Sequence, residues 1–322
     1  MAQHRSLLII NPIAGTSSKQ QLPEAVAQAL ESFGTEVVVK HTGGSGDATR
    51  FAREAVSQGF DAVLAAGGDG TVNETAKGLS GSNVPLGIIP CGSGNGLARH
   101  LGIPLDIRGA LDVLKQRNIV GCDHGSVNGH PFFCTFGIGF DATVSDVFAR
   151  SKQRGKLTYV RSTVEQYFSY QPETYAISAN GVTITEKAFL VAVCNASQYG
   201  NNAYIAPRAS ITDGLLDVTV VHAGNLLTTA LVGLDLLTGM IEENMLTHTF
   251  RSDQILIERS SPGAVHLDGE PLSMGTELHV QCHAGALRVF TPKSDAPFVP
   301  IITPARDMMR DLRSQLRTLL NI

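Results

Sequence analysis

The sequence predicts an α/β domain built on a largely parallel sheet, followed by a domain of mainly antiparallel strands. Three observations carry this prediction. Short apolar runs alternate with amphipathic segments through the first third of the chain, glycine-rich turns follow several of those runs, and Asn-Gly pairs between strand-like residues appear only afterwards. At 322 residues, with 43% apolar and 17% charged side chains and 33 glycines, the chain is long enough for two globular domains rich in tight turns.

The candidate strands of the first domain are Leu7 to Ile10, Val37 to Lys40, Ala62 to Ala66 and Leu86 to Pro90. Between them Pro23 suits a helix start, Asp47 is placed to cap a run to Gln58, and Asn73 to Leu79 and Leu97 to Leu101 supply further helical turns. Near residue 120 the pattern changes. Val127-Asn128-Gly129-His130 and Ala179-Asn180-Gly181-Val182 read as two-residue hairpins, because the left-handed backbone of such a turn favours Asn and Gly. Further strands are expected at Phe189 to Val193, Leu216 to Val221, Ile255 to Ile257, Val265 to Asp268 and Leu287 to Phe290, with helices around Asp141 to Arg150 and Lys156 to Phe168. The expected division is 1–122 and 123–292. After Thr291-Pro292 a proline-rich stretch leads into a closing helix with Arg306, Arg310, Arg313 and Arg317 on one face and Met309, Leu312, Leu316 and Leu320 as its docking residues.

Composition excludes several classes. A net charge of -4 provides no global footprint for nucleic acid. The five cysteines, at 91, 122, 134, 194 and 282, form no CxxC pair, so neither a zinc site nor a disulfide framework is expected and a reducing cytoplasm fits. The apolar run Leu7 to Ile10 is too short for a signal-peptide core, and Leu226 to Met240 is too interrupted to span a membrane. Any membrane is therefore expected to be met peripherally, at its inner face. The basic segment from Arg150 through Lys152, Arg154 and Lys156 to Arg161 reads first as solvated loop charge and second as a contact for anionic headgroups.

The most informative segment is Gly67-Gly68-Asp69-Gly70-Thr71-Val72-Asn73-Glu74, which follows an apolar strand and opens a helix. Its glycines let backbone N–H groups approach phosphate oxygens, and the helix start adds positive dipole for the same anion. Asp69 repels bare phosphate, so its carboxylate is expected to hold a magnesium ion that bridges phosphate oxygens. A second turn, Pro90-Cys91-Gly92-Ser93-Gly94-Asn95-Gly96, and a third, Asn11-Pro12-Ile13-Ala14-Gly15, follow strands at the same carboxyl edge, where open α/β sheets bind ligands. Neither the G-x-x-x-x-G-K-[ST] loop nor the G-x-G-x-x-G spacing is present. In the second domain Asp268-Gly269-Glu270 offers two carboxylates two positions apart, on one side if the backbone stays extended, suited to orienting an alcohol and accepting its proton.

These motifs together resemble the diacylglycerol kinase catalytic family, which includes sphingosine kinases and bacterial lipid kinases. The resemblance runs through Asn11-Pro12, Thr42 before Gly46-Asp47-Ala48, Gly67 to Glu74, Pro90 to Ala98, Gly137 to Ala142, Asp213 to Val218 and Leu267 to Glu270, nearly the whole chain. It implies a nucleotide-binding α/β domain, a β-sandwich lipid-substrate domain, an active site between them, and a final segment, 293–322, that returns to the first domain. It implies ATP and Mg2+ as cofactors, with nucleotide contacts at Asn11, Pro12, Ile13, Ala14, Gly15, Thr42, Gly67, Gly68, Asp69, Gly70, Thr71, Val72, Asn73 and Ser93, and Glu74 supporting the loop from behind. Glu270 would accept the proton with Asp268 beside it, although the sequence alone does not rank the two.

The same resemblance implies a structural magnesium at Asp213, with backbone oxygens near Ser210 and Leu215 and with Asp123 as partner. Where many relatives have a lysine after the first glycine turn, Thr16 stands here and the nearest lysine is Lys19. Asp141 matches an acid that faces the substrate headgroup in the sphingosine kinase branch, while helix capping explains it equally well. Diacylglycerol or a related lipid is the expected acceptor. The form Gly92-Ser93-Gly94-Asn95-Gly96 keeps a sphingoid base in view, and a homodimer is admitted. Outside lipids, an NAD kinase-like or phosphofructokinase-like enzyme shares the glycine loop, and a nucleotide-sensing membrane module is the non-enzymatic alternative.

Overall fold

The computed structural model describes residues 4–15, 19–150 and 170–293. The N-terminal unit contains β1 (His4–Ile10), α1 (Leu22–Leu30), β2 (Thr35–His41), α2 (Asp47–Ser57), β3 (Ala62–Gly67), α3 (Asp69–Leu79), β4 (Leu86–Pro90), α4 (Gly96–His100) and α5 (Ile107–Gln116). Its four strands are parallel in the order β4-β3-β1-β2. Because side chains alternate across a strand, Leu7, Ile9, Val63, Ala65 and Ile88 pack under α2 and α3, while Leu8, Ile10, Leu64, Ala66 and Ile89 pack under α1 and α5. Burial on both faces explains why these strands read as continuous apolar runs.

Two local features differ from expectation. Gly46, with φ 85°, occupies the N-cap of α2, so Asp47 is the first helical residue and accepts N–H bonds from Gly43 and Gly44 at 2.8 and 3.1 Å. Helix α5 is additional to the expected elements, and its cap is Asp106, which accepts the Gly109 N–H at 2.8 Å.

The C-terminal unit is an antiparallel β-sandwich. It contains β5 (Ile119–Val127), β6 (His130–Phe132), β7 (Thr135–Gly139), α6 (Phe140–Arg150), β8 (Glu173–Ala179), β9 (Val182–Cys194), β10 (Leu216–His222), α7 (Leu226–Thr238), β11 (Thr247–Ser252), β12 (Gln254–Arg259), β13 (Gly263–Leu267), β14 (Glu270–Met274) and β15 (Glu277–Phe290). Phe132, Phe136, Ile138, Tyr175, Val191, Val218, Ile257 and Leu278 fill its interior. Both Asn-Gly pairs form the expected turns, with φ 47° and 81° at Asn128-Gly129 and 53° and 76° at Asn180-Gly181. The expected helix Lys156 to Phe168 and the arginine-faced closing helix lie outside the described residues, as does the returning segment beyond Lys293.

Strand β15 joins the two units. Its first residues pair with β12, Val280 to His283 and Leu287 to Phe290 pair with β5 on either side of an irregularity, and Val289 near its end pairs in parallel with Leu86 of β4. One hydrogen-bonded sheet therefore runs from the sandwich into the parallel layer and sets the two units against each other. Asp123 of β5 ties in two further segments: buried to 3% exposure, its carboxylate accepts N–H bonds from Gly214 and Gly285, both at 2.7 Å.

Truncating this acid strands two buried donors. Asp123→Ala is expected to cost about 3 kcal/mol of stability, the scale of losing charge-assisted hydrogen bonds inside a protein. Urea unfolding checks this, and an unchanged midpoint would refute the tethering role.

Candidate functional site

The loops that follow β1, β2, β3 and β4 converge at the carboxyl edge of the parallel sheet. Their backbones meet more closely than side chains permit. A Cβ on Gly92 would stand 2.6 Å from the Gly68 Cα, and one on Gly15, at φ 65°, would stand 2.0 Å from the Cys91 carbonyl oxygen. Helix α3 starts at this junction with Gly68 as an extended N-cap that offers no side-chain bond. The first N–H groups of an 11-residue helix thus lack a side-chain cap beside these glycine turns, the arrangement that suits a phosphate.

Asp69 lies at the centre, and its role is wider than expected. Its two carboxylate oxygens accept the N–H groups of Asn95 at 2.9 Å and Gly96 at 2.7 Å, so it anchors the second glycine turn to the start of α3. Asn95 closes that turn by exchanging bonds with Gly92, and Arg99 donates to the Gly94 carbonyl at 2.8 Å. Each Asp69 oxygen keeps lone pairs beyond the one bond named for it, so the acid fits the requirement for a carboxylate that shares a cation with phosphate oxygens.

The other expected contacts divide into side chains and backbone. Asn11 donates to the Thr71 hydroxyl at 3.0 Å and accepts the Ile13 N–H at 3.1 Å, which shapes the first loop. Pro12, Ile13 and Ser93 are exposed on the glycine turns, and Thr42 is held by its N–H to the Ile10 carbonyl. Thr71, Val72 and Asn73 have buried side chains. The carboxylate of Glu74, expected to support its own glycine loop, instead accepts from Ser45, from the Gly46 N–H at 2.8 Å and from the Ala48 N–H at 3.2 Å, which pins the start of α2 to α3. Thr16 lies outside the described residues, and the Lys19 ammonium donates to the Ala14 carbonyl of its own loop.

The sandwich brings a second acid to the same place, with one correction. Asp268 and Gly269 have φ 52° and 84° and form a tight turn between β13 and β14, so the backbone is not extended and the two carboxylates do not share a side. Asp268 points inward and accepts the N–H groups of Phe133, Cys134 and Thr135 at 2.9, 2.7 and 2.9 Å. Burial pushes its pKa up from the ordinary carboxylate range, against the pull of these three donors and of His266. Glu270 points outward with its side chain 54% exposed, one oxygen 3.7 Å from where a Cβ on Gly70 would stand and the other 3.7 Å from the Lys77 ammonium.

Behind this turn runs a polar chain that the sequence reading did not contain. Asp141 accepts from the Tyr199 hydroxyl and pairs with His266 Nε2, both at 3.0 Å, and the Gly269 N–H reaches His266 Nδ1 at 3.3 Å. With Nδ1 accepting, the proton of the neutral ring belongs on Nε2 and faces Asp141. The other Asp141 oxygen accepts the Ala142 N–H at 2.8 Å in the first turn of α6, so Asp141 serves the helix start and this network together and is not a free acid.

At the position of the expected structural magnesium the acids already have protein partners. Asp213 forms an ion pair with Arg251 and accepts the Leu215 N–H at 3.1 Å, Ser210 faces Thr212, and Asp123 is committed to the two amides described above. Among the described residues no group of three His, Cys, Asp or Glu side chains is placed to hold a metal ion.

Residues 5–127 match the diacylglycerol kinase catalytic domain profile, and residues 135–291 match the YegS C-terminal NAD kinase beta sandwich-like domain. The chain is 33% identical to a diacylglycerol kinase of Bacillus subtilis over 83% of this chain and 89% of that protein. It is 31% identical to the probable lipid kinase YegS of Escherichia fergusonii, over 91% of this chain and 98% of that one. A crystal structure from Bacillus anthracis, described as that of a candidate diacylglycerol kinase, superposes with a TM-score of 0.76 at 26% identity, covering 91% of this chain and 99% of that chain.

The clasp between the two units at α4 yields a pH-dependent prediction. His100 ends α4, and its Nδ1 meets the Ser197 N–H at 3.1 Å and the Ser197 hydroxyl at 3.0 Å. Burial depresses the imidazole to about 4. In the unfolded chain it titrates near its ordinary value of about 6.5, so protonation favours unfolding. The stabilising contribution is complete above about 6.5 and is lost as pH falls toward about 4, by up to about 3 kcal/mol. Urea midpoints measured across this window are expected to fall more steeply for the wild type than for His100→Gln. Parallel curves would rule the clasp out.

Proposed function

The chain belongs to the diacylglycerol kinase catalytic domain family, and from that premise we propose that it is an ATP- and Mg2+-dependent lipid kinase whose acceptor is diacylglycerol or a closely related lipid alcohol. One observation carries the reading: the exposed Glu270 of the sandwich lies beside Gly70 in the first turn of α3, so a proton acceptor from one unit meets glycine turns suited to phosphate in the other.

The residues divide the work as follows. The backbone of Gly67 to Gly70 and the turn from Gly92 to Gly96 receive the phosphates, assisted by the α3 dipole. Asp69 would hold the magnesium ion, which neutralises phosphate charge. Glu270 orients the acceptor hydroxyl and takes its proton as the new oxygen–phosphorus bond forms and the bond to the ADP leaving oxygen breaks. Lys77, 3.7 Å from one Glu270 oxygen, directs that side chain along α3. Asp268 is a positioning residue, since its oxygens are already held by three amides. An amine-bearing sphingoid acceptor asks for a free carboxylate at Asp141, and that group is engaged by Tyr199 and His266. This favours the neutral glycerolipid.

The test offers labelled ATP with diacylglycerol, sphingosine, NAD and fructose 6-phosphate in turn. Label is expected in the phosphorylated glycerolipid, and incorporation only into a water-soluble acceptor would reject the assignment. Glu270→Gln is expected to lower kcat by about 100-fold or more while nucleotide affinity stays near that of the wild type. Undiminished turnover in that variant would remove Glu270 from the mechanism.

A further inference from the structure

Helix α7 presents an apolar face that nothing in the phosphoryl-transfer site uses. Its side chains at Leu227, Leu231 and Leu237 are 72%, 42% and 52% exposed. At 100° per residue these three, with Ala230 and Leu234 between them, fall within an arc of about 120°. The helix carries a single charged residue, Asp235, which is buried and bonded to Asn244 at 2.6 Å. That bond also brings the neighbouring Met245, 63% exposed, to the same end of the helix.

The opposite face of α7 connects to the acceptor side of the site. Val232 and Leu236 pack into one cluster with Phe140, Val144 and Phe189. The same cluster includes Tyr199, whose hydroxyl donates to Asp141. The exposed leucines are therefore the outer surface of an apolar layer whose inner surface walls the Asp141 network.

We propose that α7 is the surface on which the protein rests against a lipid bilayer, inserting its leucines by apolar burial and without electrostatic attraction. The choice of a bilayer as partner rests on the lipid-acceptor reading above, since such an acceptor resides in a membrane. At 13 residues the helix is well short of the roughly 20 needed to cross, so it lies in the interfacial plane. Charge identifies the mode of attachment. No Lys or Arg occurs from Ala209 to Phe250, and Glu242 and Glu243 follow the helix. A docking surface of this kind gains nothing from anionic headgroups, in contrast to the arginines at 306, 310, 313 and 317.

Cosedimentation of the full chain with vesicles tests this. Binding is expected to vesicles of phosphatidylcholine alone, and it should change by less than about twofold between about 0.1 M and about 1 M NaCl, as the screening length drops from about 10 Å to about 3 Å. The combined substitution Leu227→Gln, Leu231→Gln and Leu237→Gln is expected to weaken vesicle binding by about tenfold or more while turnover on short-chain diacylglycerol in detergent is kept. A requirement for phosphatidylserine that disappears at high salt would overturn the proposal, as would undiminished binding of the variant. So would a shift from dimer to monomer in the variant, because a second copy would then cover this face. Binding is read without turnover, so a wild type that binds vesicles but phosphorylates no lipid would sink the acceptor reading and leave the docking surface standing.

Discussion

Backbone N–H groups in irregular loops must find acceptors, and in this protein buried or half-buried carboxylates supply them. Asp69 takes two from the second glycine turn, Asp123 takes two from segments that meet at β5, Asp268 takes three from the start of β7, and Glu74 takes two from the start of α2. Charge-assisted bonds of this kind contribute about 1.5–3 kcal/mol each, enough to hold loops whose glycines otherwise favour disorder. The constraint also sorts the acids by task. An acid already holding several amides is a poor proton acceptor, and of the acids gathered around the glycine loops Glu270 is the one directed outward with its carboxylate free of such bonds.

Much of this was legible because its chemistry is local. Glycines after apolar strands, Asn-Gly between strand-like residues and the alternation of short runs with helices each follow from backbone preferences over a few residues, and all three reappear in the fold. What was not legible depends on register across the chain. Asp213 meets Arg251, 38 positions away, and Asp141 meets His266, 125 positions away, through strand pairings that no local pattern announces. The extended reading of Asp268 to Glu270 failed for a different reason. Gly269 lies inside the run of acids, and a residue after Asp that accepts positive φ invites a turn, which sends the two carboxylates to opposite tasks. Helix α5 had a visible signal in Asp106 three residues before Gly109, although the cap becomes decisive only once the helix covers Leu64 and Ile89.

Strand β15 explains how two separately built halves keep an active geometry. A site split between domains usually depends on a hinge to close it, whereas here the sheet itself passes from the sandwich into the parallel layer. The β13–β14 turn is held on the sandwich side by Asp268, and the glycine loops are held on the other side by Asp69. The separation between Glu270 and the first turn of α3 is therefore set by hydrogen-bonded structure, which is the kind of preorganisation that phosphoryl transfer needs, since the protein contributes position more than covalent chemistry.

The placement of Asp141 joins this rigid polar centre to the apolar side of the sandwich. Its carboxylate receives Tyr199, which belongs to the cluster beneath α7, and His266, which receives the N–H of Gly269 one residue before Glu270. Three side chains thus link the apolar layer to the turn that presents Glu270. For the neutral lipid alcohol proposed above no ionic partner is needed at Asp141, and Glu270 is the nearby carboxylate left free of amide bonds. Along this chain the one carboxylate, Asp141, is held by partners on both sides, so the apolar outer helix and the polar loop edge are joined without an unpaired charge between them.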